Sequence, residues 1–230
     1  MTPHKNPDQL QFLQNCSPDT RRQFLQMGES TACPKGHVCL REQDNNSHIL
    51  FILDGKVQIY NLTKCGKKKI LFILDSGHIA NDNILRNSTS VYCETLEPCR
   101  FFCIRRKDLL CLMEHDFQLT KVLFQYQERK LSRLEHQLKN TLGSIYLERR
   151  LASKLWKLAR DFGLPDSRGT LIDMDLSITF LADLLGAPRE TTSRICKKLA
   201  DQGLIIMEKK KIYITDMDKI ADFHQSQQKI

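Results

Sequence analysis

Two periodicities divide this chain. From residue 33 to residue 104, apolar positions come in short runs of β-branched, aromatic and leucine residues. Turn residues separate them at Pro34-Lys35-Gly36, Asp44-Asn45-Asn46, Asp54-Gly55, Cys65-Gly66 and Asp75-Ser76-Gly77. Runs bounded in this way are strands, and their close succession predicts an antiparallel β-roll of jelly-roll type. The clearest segment is residues 49–60, where Asp54-Gly55 lies between two apolar runs and signals a tight hairpin. The string I-L-F-I-L-D occurs there and again at residues 70–75. Two copies without a sustained period mean two core strands under one packing demand, and no repeat architecture. Before the roll, Leu10, Phe12, Leu13, Phe24 and Leu25 flank the helix-start signal Ser17-Pro18-Asp19, so two short helices are expected over residues 9–27.

Beyond the roll the spacing turns helical. A short helix is expected over residues 105–114, and Asp116-Phe117 opens a long helix with almost no breaker before Gly143. Phe117, Phe124, Leu131 and Leu138 recur every seven residues, with Leu134 and Thr141 on the intervening seam. That is coiled-coil spacing, and Phe124, Leu131, Leu134 and Leu138 are the expected homodimer contacts. Thr120 and Gln127 weaken the first half, which leaves open that the same stripe lies on the roll. Residues 140–144, with Gly143, read as a hinge. Leu147, Leu151, Leu155, Trp156 and Leu158 then form a helix closed by Phe162-Gly163-Leu164-Pro165, and residues 171–174 form a strand. The expected organisation is α+β: a roll with flanking short helices over 1–115, a dimerisation helix and hinge over 116–143, and a third unit over 144–230.

The third unit contains the most specific pattern. Ser177 can cap a helix bearing Ile178, Leu181, Leu184 and Leu185 on one face, and Gly186 can end it in a left-handed conformation. Gly186-Ala187-Pro188 has the turn length of a helix-turn-helix. Pro188 suits the first turn of a second helix, whose core face is Ile195 and Leu199. Opposite lie Arg189, Glu190, Ser193, Arg194 and Lys197. Arginine can donate two hydrogen bonds to guanine, and glutamate can accept from cytosine, in the DNA major groove. Gly203 then permits a turn into strands at 204–207 and 212–215, with Lys209, Lys210 and Lys211 at the tip of a wing. From residue 189 to 211 seven Lys/Arg face three Asp/Glu. That balance suits phosphate contact, for which Thr191, Lys197, Lys209, Lys210 and Lys211 are the candidates.

R-E-T-T-S-R after L-L-G, followed by K-K-L-A-D-Q-G-L-I, resembles the signature of the CRP/FNR superfamily of bacterial transcription regulators. The resemblance continues more weakly through most of the chain. It implies a sensor β-roll, a long dimerisation helix and a winged helix-turn-helix. It also implies base readout by Arg189, Glu190 and Arg194, with a serine at the place of Ser193 used in some members. Expected partners are a palindromic double-stranded operator, a second copy of the chain, RNA polymerase and a small-molecule effector.

The resembled family holds cyclic nucleotide with a Gly-Glu pair and an Arg-Ser or Arg-Thr pair. Here Asp82 stands near the acidic place and Thr89-Ser90 at the second pair, so the phosphate-pairing arginine is missing. Without that bidentate cation the anionic ligand loses its strongest contact, which argues against cyclic AMP. A pocket over Ile79, Asp82, Ile84, Leu85, Thr89, Ser90 and Val91 would then take an apolar or weakly charged effector, or signalling would pass through thiols such as Cys65 beside Lys64 and Lys67. Haem is disfavoured because His78 has no cysteine beside it. An iron–sulfur cluster is disfavoured because only Cys33-x5-Cys39 resembles the ligands, with Ser30 where a further cysteine belongs.

Composition closes off other classes. The 230 residues carry a net charge of +8, which favours an anionic partner, and their 41% hydrophobic content can fill two modest cores. The longest apolar runs are far shorter than the ~20 residues of a membrane span, so no membrane association is expected and the place of action is the cytoplasm. Nine cysteines without pairing spacings read as free thiols in a reducing compartment. No catalytic residue and no metal ligand is assigned: neither Cys33 with His37 nor His115 with a nearby carboxylate has a recognisable spacing. The alternative to regulation is an effector-independent architectural or replication protein with the same winged helix.

Overall fold

The computed structural model describes Pro7, residues 10–139 and residues 147–225. The chain forms two compact units, the first ending at Gln137 and the second beginning at Leu138, with residues 67–69 assigned to the second. The expected hinge at 140–144 and Thr141 lie outside the described residues.

In the first unit a 3-10 helix at Gln11–Asn15 and helix α1, Pro18–Met27, precede seven strands: β1 Gly28–Cys33, β2 Val38–Leu40, β3 His48–Asp54, β4 Val57–Leu62, β5 Lys68–Leu74, β6 Tyr92–Thr95 and β7 Cys99–Arg105. Helices α2, Arg106–His115, and α3, Phe117–Lys139, complete it. The strands form two antiparallel sheets, ordered β1-β7-β3 and β2-β6-β4-β5. Leu40, Ile52, Val57, Ile59, Phe72, Leu74, Cys93 and Phe101 fill one core cluster between the sheets. Ile49, Phe51, Leu53, Phe102 and Ile104 point the other way, onto Leu13, Phe24, Leu109, Leu112, Leu119 and Leu123 of the helices. The two copies of I-L-F-I-L-D therefore sit in different sheets. The copy on β3 is buried on both faces, whereas on edge strand β5 only Ile70, Phe72 and Leu74 are buried. One string serves both places because strand side chains alternate and only the burial of the outer face differs.

Two expectations need correction. Asp54-Gly55 does not close a paired hairpin, because β3 and β4 belong to different sheets. It is a corner: Gly55 has φ +87, and a Cβ there would stand 2.7 Å from the carbonyl oxygen of Pro98. The roll also begins five residues early. β1, G-E-S-T-A-C, pairs along its length with β7, from Gly28 opposite Ile104 to Cys33 opposite Cys99. Its four central residues are exposed, so it carries no apolar alternation.

The second unit opens with α4, Leu147–Phe162, whose Leu151, Leu155 and Leu158 are buried. It continues with β8 Gly163–Asp166, β9 Gly169–Ile172, α5 Ile178–Leu185, α6 Arg189–Asp201, β10 Ile205–Glu208, β11 Lys211–Ile214 and α7 Met217–Gln225. The strands make one antiparallel sheet, β10-β11-β9-β8. Gly163-Leu164-Pro165, expected only to end a helix, is the first strand of a hairpin with β9. Helix α7 had no counterpart in the sequence reading. Its signal is Asp216, whose carboxylate accepts from the N–H groups of Asp218 and Lys219 at 2.9 and 3.1 Å.

Asp116 joins the helices of the first unit. Its carboxylate accepts from Gln118 and Leu119 N–H at 2.9 and 3.2 Å, capping α3, and from Ser17 N–H at 3.1 Å, where α1 begins. A hydrogen bond from Thr20, outweighing burial and helped by those N–H groups, holds its carboxyl below the usual range. A carboxyl depressed in the folded state contributes stability that is complete above about pH 4 and is lost as pH falls through the folded value. Asp116→Ala should therefore cost about 2–3 kcal/mol at pH 7 by urea unfolding, with the difference shrinking at acid pH. A midpoint unchanged at pH 7 would remove Asp116 from this role.

Candidate nucleic-acid interface

The helix-turn-helix is built by three local devices. The Ser177 hydroxyl accepts from Phe180 N–H at 3.1 Å, which starts α5. Gly186 ends it at φ 71, ψ 42, its N–H donating to Ala182 O at 2.7 Å. Pro188 is the N-cap of α6, in extended conformation, and sits one position before the helical turn expected of it. Thr192 is wholly buried, and its hydroxyl donates to Pro188 O at 3.0 Å. Ile195, Cys196 and Leu199 continue that buried face. The opposite face is fixed as a result: Arg189, Glu190, Ser193, Arg194, Lys197 and Lys198 are exposed, and Thr191 is half-buried with its hydroxyl 3.5 Å from Arg194 Nη2. Lys198 is engaged by an acid, Glu148, at 2.9 Å.

The wing is a two-residue loop, Lys209-Lys210, between the paired Glu208 and Lys211. Lys211 Nζ lies 3.5 Å from Asp175, and Lys210 O accepts from Leu176 N–H at 2.7 Å. Arg168 secures this hairpin. Its guanidinium bonds Asp166, reaches Glu208 at 2.7 Å and the Tyr213 hydroxyl at 2.6 Å, and stacks 3.8 Å over the Tyr213 ring. Sequence reasoning missed Arg168, since nothing local ties it to residues some forty positions on. The second unit thus presents a polar, exposed face on α6 and a basic tip on the wing.

The dimer candidates divide between two faces. Phe124, Leu131 and Leu138 are exposed on α3, as is Phe117, whereas Leu134 is half-buried against the core of the roll. Leu119 and Leu123 form the packed face. The heptad stripe is thus not the one that lies on the roll.

The seven effector-pocket candidates do not surround one space. Asp82 accepts from Thr89 Oγ1 at 2.8 Å, Ser90 Oγ at 2.6 Å and Ser90 N at 3.0 Å. Burial would raise its carboxyl, but these bonds hold it below the usual range. The hydroxyls expected to face a ligand are spent within the loop. Leu85 is 70% exposed, while Ile84 and Val91 belong to two different core clusters. The loop is anchored by Arg106, almost fully buried, which donates to the carbonyls of Asn46, Asn83 and Ile84. A cavity of about 670 Å³ opens instead between the roll and α3, and of the seven only Ile79 lines it. Its walls include Phe72, Leu74, Leu123, His78, Tyr126, Arg129, Lys130 and Arg133. The Tyr126 hydroxyl accepts from Ile79 N–H at 3.0 Å and donates to Ile79 O at 3.1 Å. Lys130 Nζ donates to Asn81 O at 2.9 Å, and burial lowers its ammonium to about 8. These cations come from a helix read at first only for its apolar stripe.

All nine cysteines are free thiols. Cys65 and Cys111 are exposed, while burial pushes Cys16 and Cys196 up to about 11. Although spacing set Cys33 and His37 aside, the β1–β2 turn brings their ligand atoms and that of Cys39 within 4.8 Å of one another.

Two family models match the chain in sequence: a cyclic nucleotide-binding domain over residues 31–116 and a Crp-like helix-turn-helix domain over residues 149–223. The chain belongs to the CRP/FNR family. Members are transcription regulators and not enzymes, and the helix-turn-helix regulators among them bind DNA and act as dimers. This CRP/FNR chain is 28% identical to the "Probable transcriptional regulator flp" of Lacticaseibacillus casei, over 92% of its length and 94% of that protein. It is 24% identical to the "CRP-like cAMP-activated global transcriptional regulator" of Mycobacterium tuberculosis, over 82% of this chain and 84% of the other. The structure of FixK2 from Bradyrhizobium japonicum shares the fold, with a TM-score of 0.72 at 18% identity over 85% of this chain and 96% of that one. No described helix is long and apolar enough to cross a membrane.

Lys209 has φ 56, a left-handed conformation that costs a non-glycine residue about 1 kcal/mol. Lys209→Gly should stabilise the second unit by about that amount in chemical denaturation, whereas Lys209→Gln should leave it unchanged. A destabilised glycine variant would show that the tip is not held in this conformation.

Proposed function

We propose that this chain is a sequence-specific transcription regulator that binds a palindromic double-stranded operator as a homodimer in the cytoplasm. The observation that carries the reading is the exposed first half of α6, where Arg189, Glu190, Ser193 and Arg194 project together while Thr192 and Ile195 anchor the opposite face. Helix-turn-helix docking places this half against the bases. Arg189 and Arg194 donate to guanine, Glu190 accepts from cytosine, and Ser193 is within the same row. Thr191, Lys197 and Lys209 to Lys211 take phosphates and set the register without reading sequence. RNA polymerase is the downstream partner of such a regulator.

The exposed heptad stripe supports two-fold pairing through Phe124, Leu131 and Leu138. Leu134, turned to the roll, is a supporting residue rather than a central contact. The cavity beside α3 supports an effector-controlled regulator over an architectural protein. It combines apolar walls with Lys130, Arg129 and Arg133, so the effector it fits is a small, partly apolar anion. The knot of Asp82, Thr89 and Ser90 puts Thr89, already donating to Asp82, where a cyclic phosphate would need a cation, and cyclic AMP is not that effector. Tyr126 and Lys130 couple the cavity to the helix that carries the stripe, so a ligand preferring one helix position shifts DNA affinity by its differential binding.

Arg194→Ala tests the base-reading assignment. On an operator selected from random DNA, affinity should fall by about 1–3 kcal/mol and discrimination should flatten at one position in each half-site, with binding to random duplex nearly unchanged. Equal losses on operator and random DNA would make Arg194 a phosphate contact and remove the reading of α6.

A further inference from the structure

The β1–β2 turn gathers Cys33, His37 and Cys39, whose Sγ, imidazole nitrogen and Sγ lie within 4.8 Å of one another. Separate backbone features deliver each residue. Cys33 closes β1 opposite Cys99. Gly36, at φ +79, turns the chain back. The pairing of β2 with β6 slips between Val38 and Leu40, which makes Cys39 the extra residue of a bulge. Bulges re-aim a side chain out of the regular alternation. Buried Thr95 ties the whole turn: its Oγ1 donates to Pro34 O at 2.6 Å and accepts from His37 N–H at 2.9 Å. Its backbone N–H donates to His37 O at 3.0 Å, and its carbonyl accepts from Gly36 N–H at 2.8 Å. The loop is therefore rigidly framed from the sheet, while His37 itself is exposed and the two thiols are half-buried.

We propose that Cys33, His37 and Cys39 bind one zinc ion, which clips β1, at the edge of one sheet, to β2, at the edge of the other. Two thiolates and an imidazole are borderline-soft donors suited to tetrahedral zinc, whose bond lengths of about 2.0–2.3 Å place neighbouring donors about 3.5–3.8 Å apart. The present spread closes to that with side-chain movements of about 1 Å. An iron–sulfur cluster takes four protein ligands, four thiolates or, in Rieske centres, two thiolates and two imidazoles, and this turn supplies three. Exposed His37 leaves the fourth position to water. On binding, each thiol gives up its proton to solvent, so one Zn²⁺ enters as two protons leave. The clip matters because edge strands are otherwise held from one side only, and β2 is three residues long.

The test uses full-length, reduced, metal-free protein titrated with cobalt chloride and then zinc chloride. One cobalt per chain should give thiolate-to-cobalt charge-transfer bands and the visible spectrum of a tetrahedral ion, and one zinc should displace it. Cys39→Ser should abolish the spectrum. His37→Asn, an exposed change that leaves the core untouched, should weaken binding at least tenfold and remove the rise in melting temperature that zinc gives the natural chain. Cys65→Ser with Cys111→Ser, the two exposed thiols elsewhere, should bind as before. The proposal is overturned if no tetrahedral cobalt signal forms, if it survives Cys39→Ser, if His37→Asn binds as tightly as the natural chain, if it is lost with Cys65 and Cys111, or if anaerobically purified protein carries iron and sulfide at this turn.

Discussion

Helix α3 has two apolar faces, and one chain can bury only one of them. Leu119 and Leu123 pack into the helix-facing core, Leu134 lies on the core between the sheets, and the Tyr126 hydroxyl holds both backbone groups of Ile79. Once that face is committed to the roll, Phe117, Phe124, Leu131 and Leu138 must point outward. Large side chains exposed at every seventh position are a standing cost in water and a seam for another helix. The same commitment puts Lys130 into the cavity wall, where burial weakens its hold on a proton. The exposed stripe and the cavity thus follow from one packing decision, and the Tyr126 bonds tie the helix that carries the stripe to Ile79 in the cavity wall.

A similar logic governs α6. Burying the Thr192 hydroxyl is tolerable because the Pro188 carbonyl, which already accepts from Thr192 N–H at 2.9 Å, also accepts from the hydroxyl at 3.0 Å. That bond fixes the rotation of the helix, so the choice of exposed residues is made by a neutral side chain on the far face. Arg168 plays the corresponding part for the wing. Neither residue is a candidate to touch DNA, yet both determine what can.

Legibility followed the range of the interactions. The helix-turn-helix could be read because a cap, a left-handed glycine, a proline and an i,i+4 face all act within a few residues. The roll was readable as a rhythm, since alternation and turn residues are local, but which sheet each strand joins is not. Asp54-Gly55 marks a corner because β3 finds β7, some fifty residues away. β1 left no apolar trace because backbone pairing with β7 suffices for an edge strand whose side chains face water. The ligand-pocket expectation went astray for a related reason. Asp82, Thr89 and Ser90 were read as facing a ligand, and they satisfy one another, while the cations of the cavity arrive from a helix forty residues later. Cys33, His37 and Cys39 lacked a familiar spacing because a bulge, which spacing cannot show, aims the last of them.

The central claim is a two-fold pair of α6 helices reading DNA. Hydroxyl-radical footprinting of the natural chain on a selected operator tests it most directly. The account predicts two symmetric protected windows on one face of the duplex, centred about one helical turn, ~34 Å, apart. A single protected window, or uniform protection independent of sequence, would contradict it.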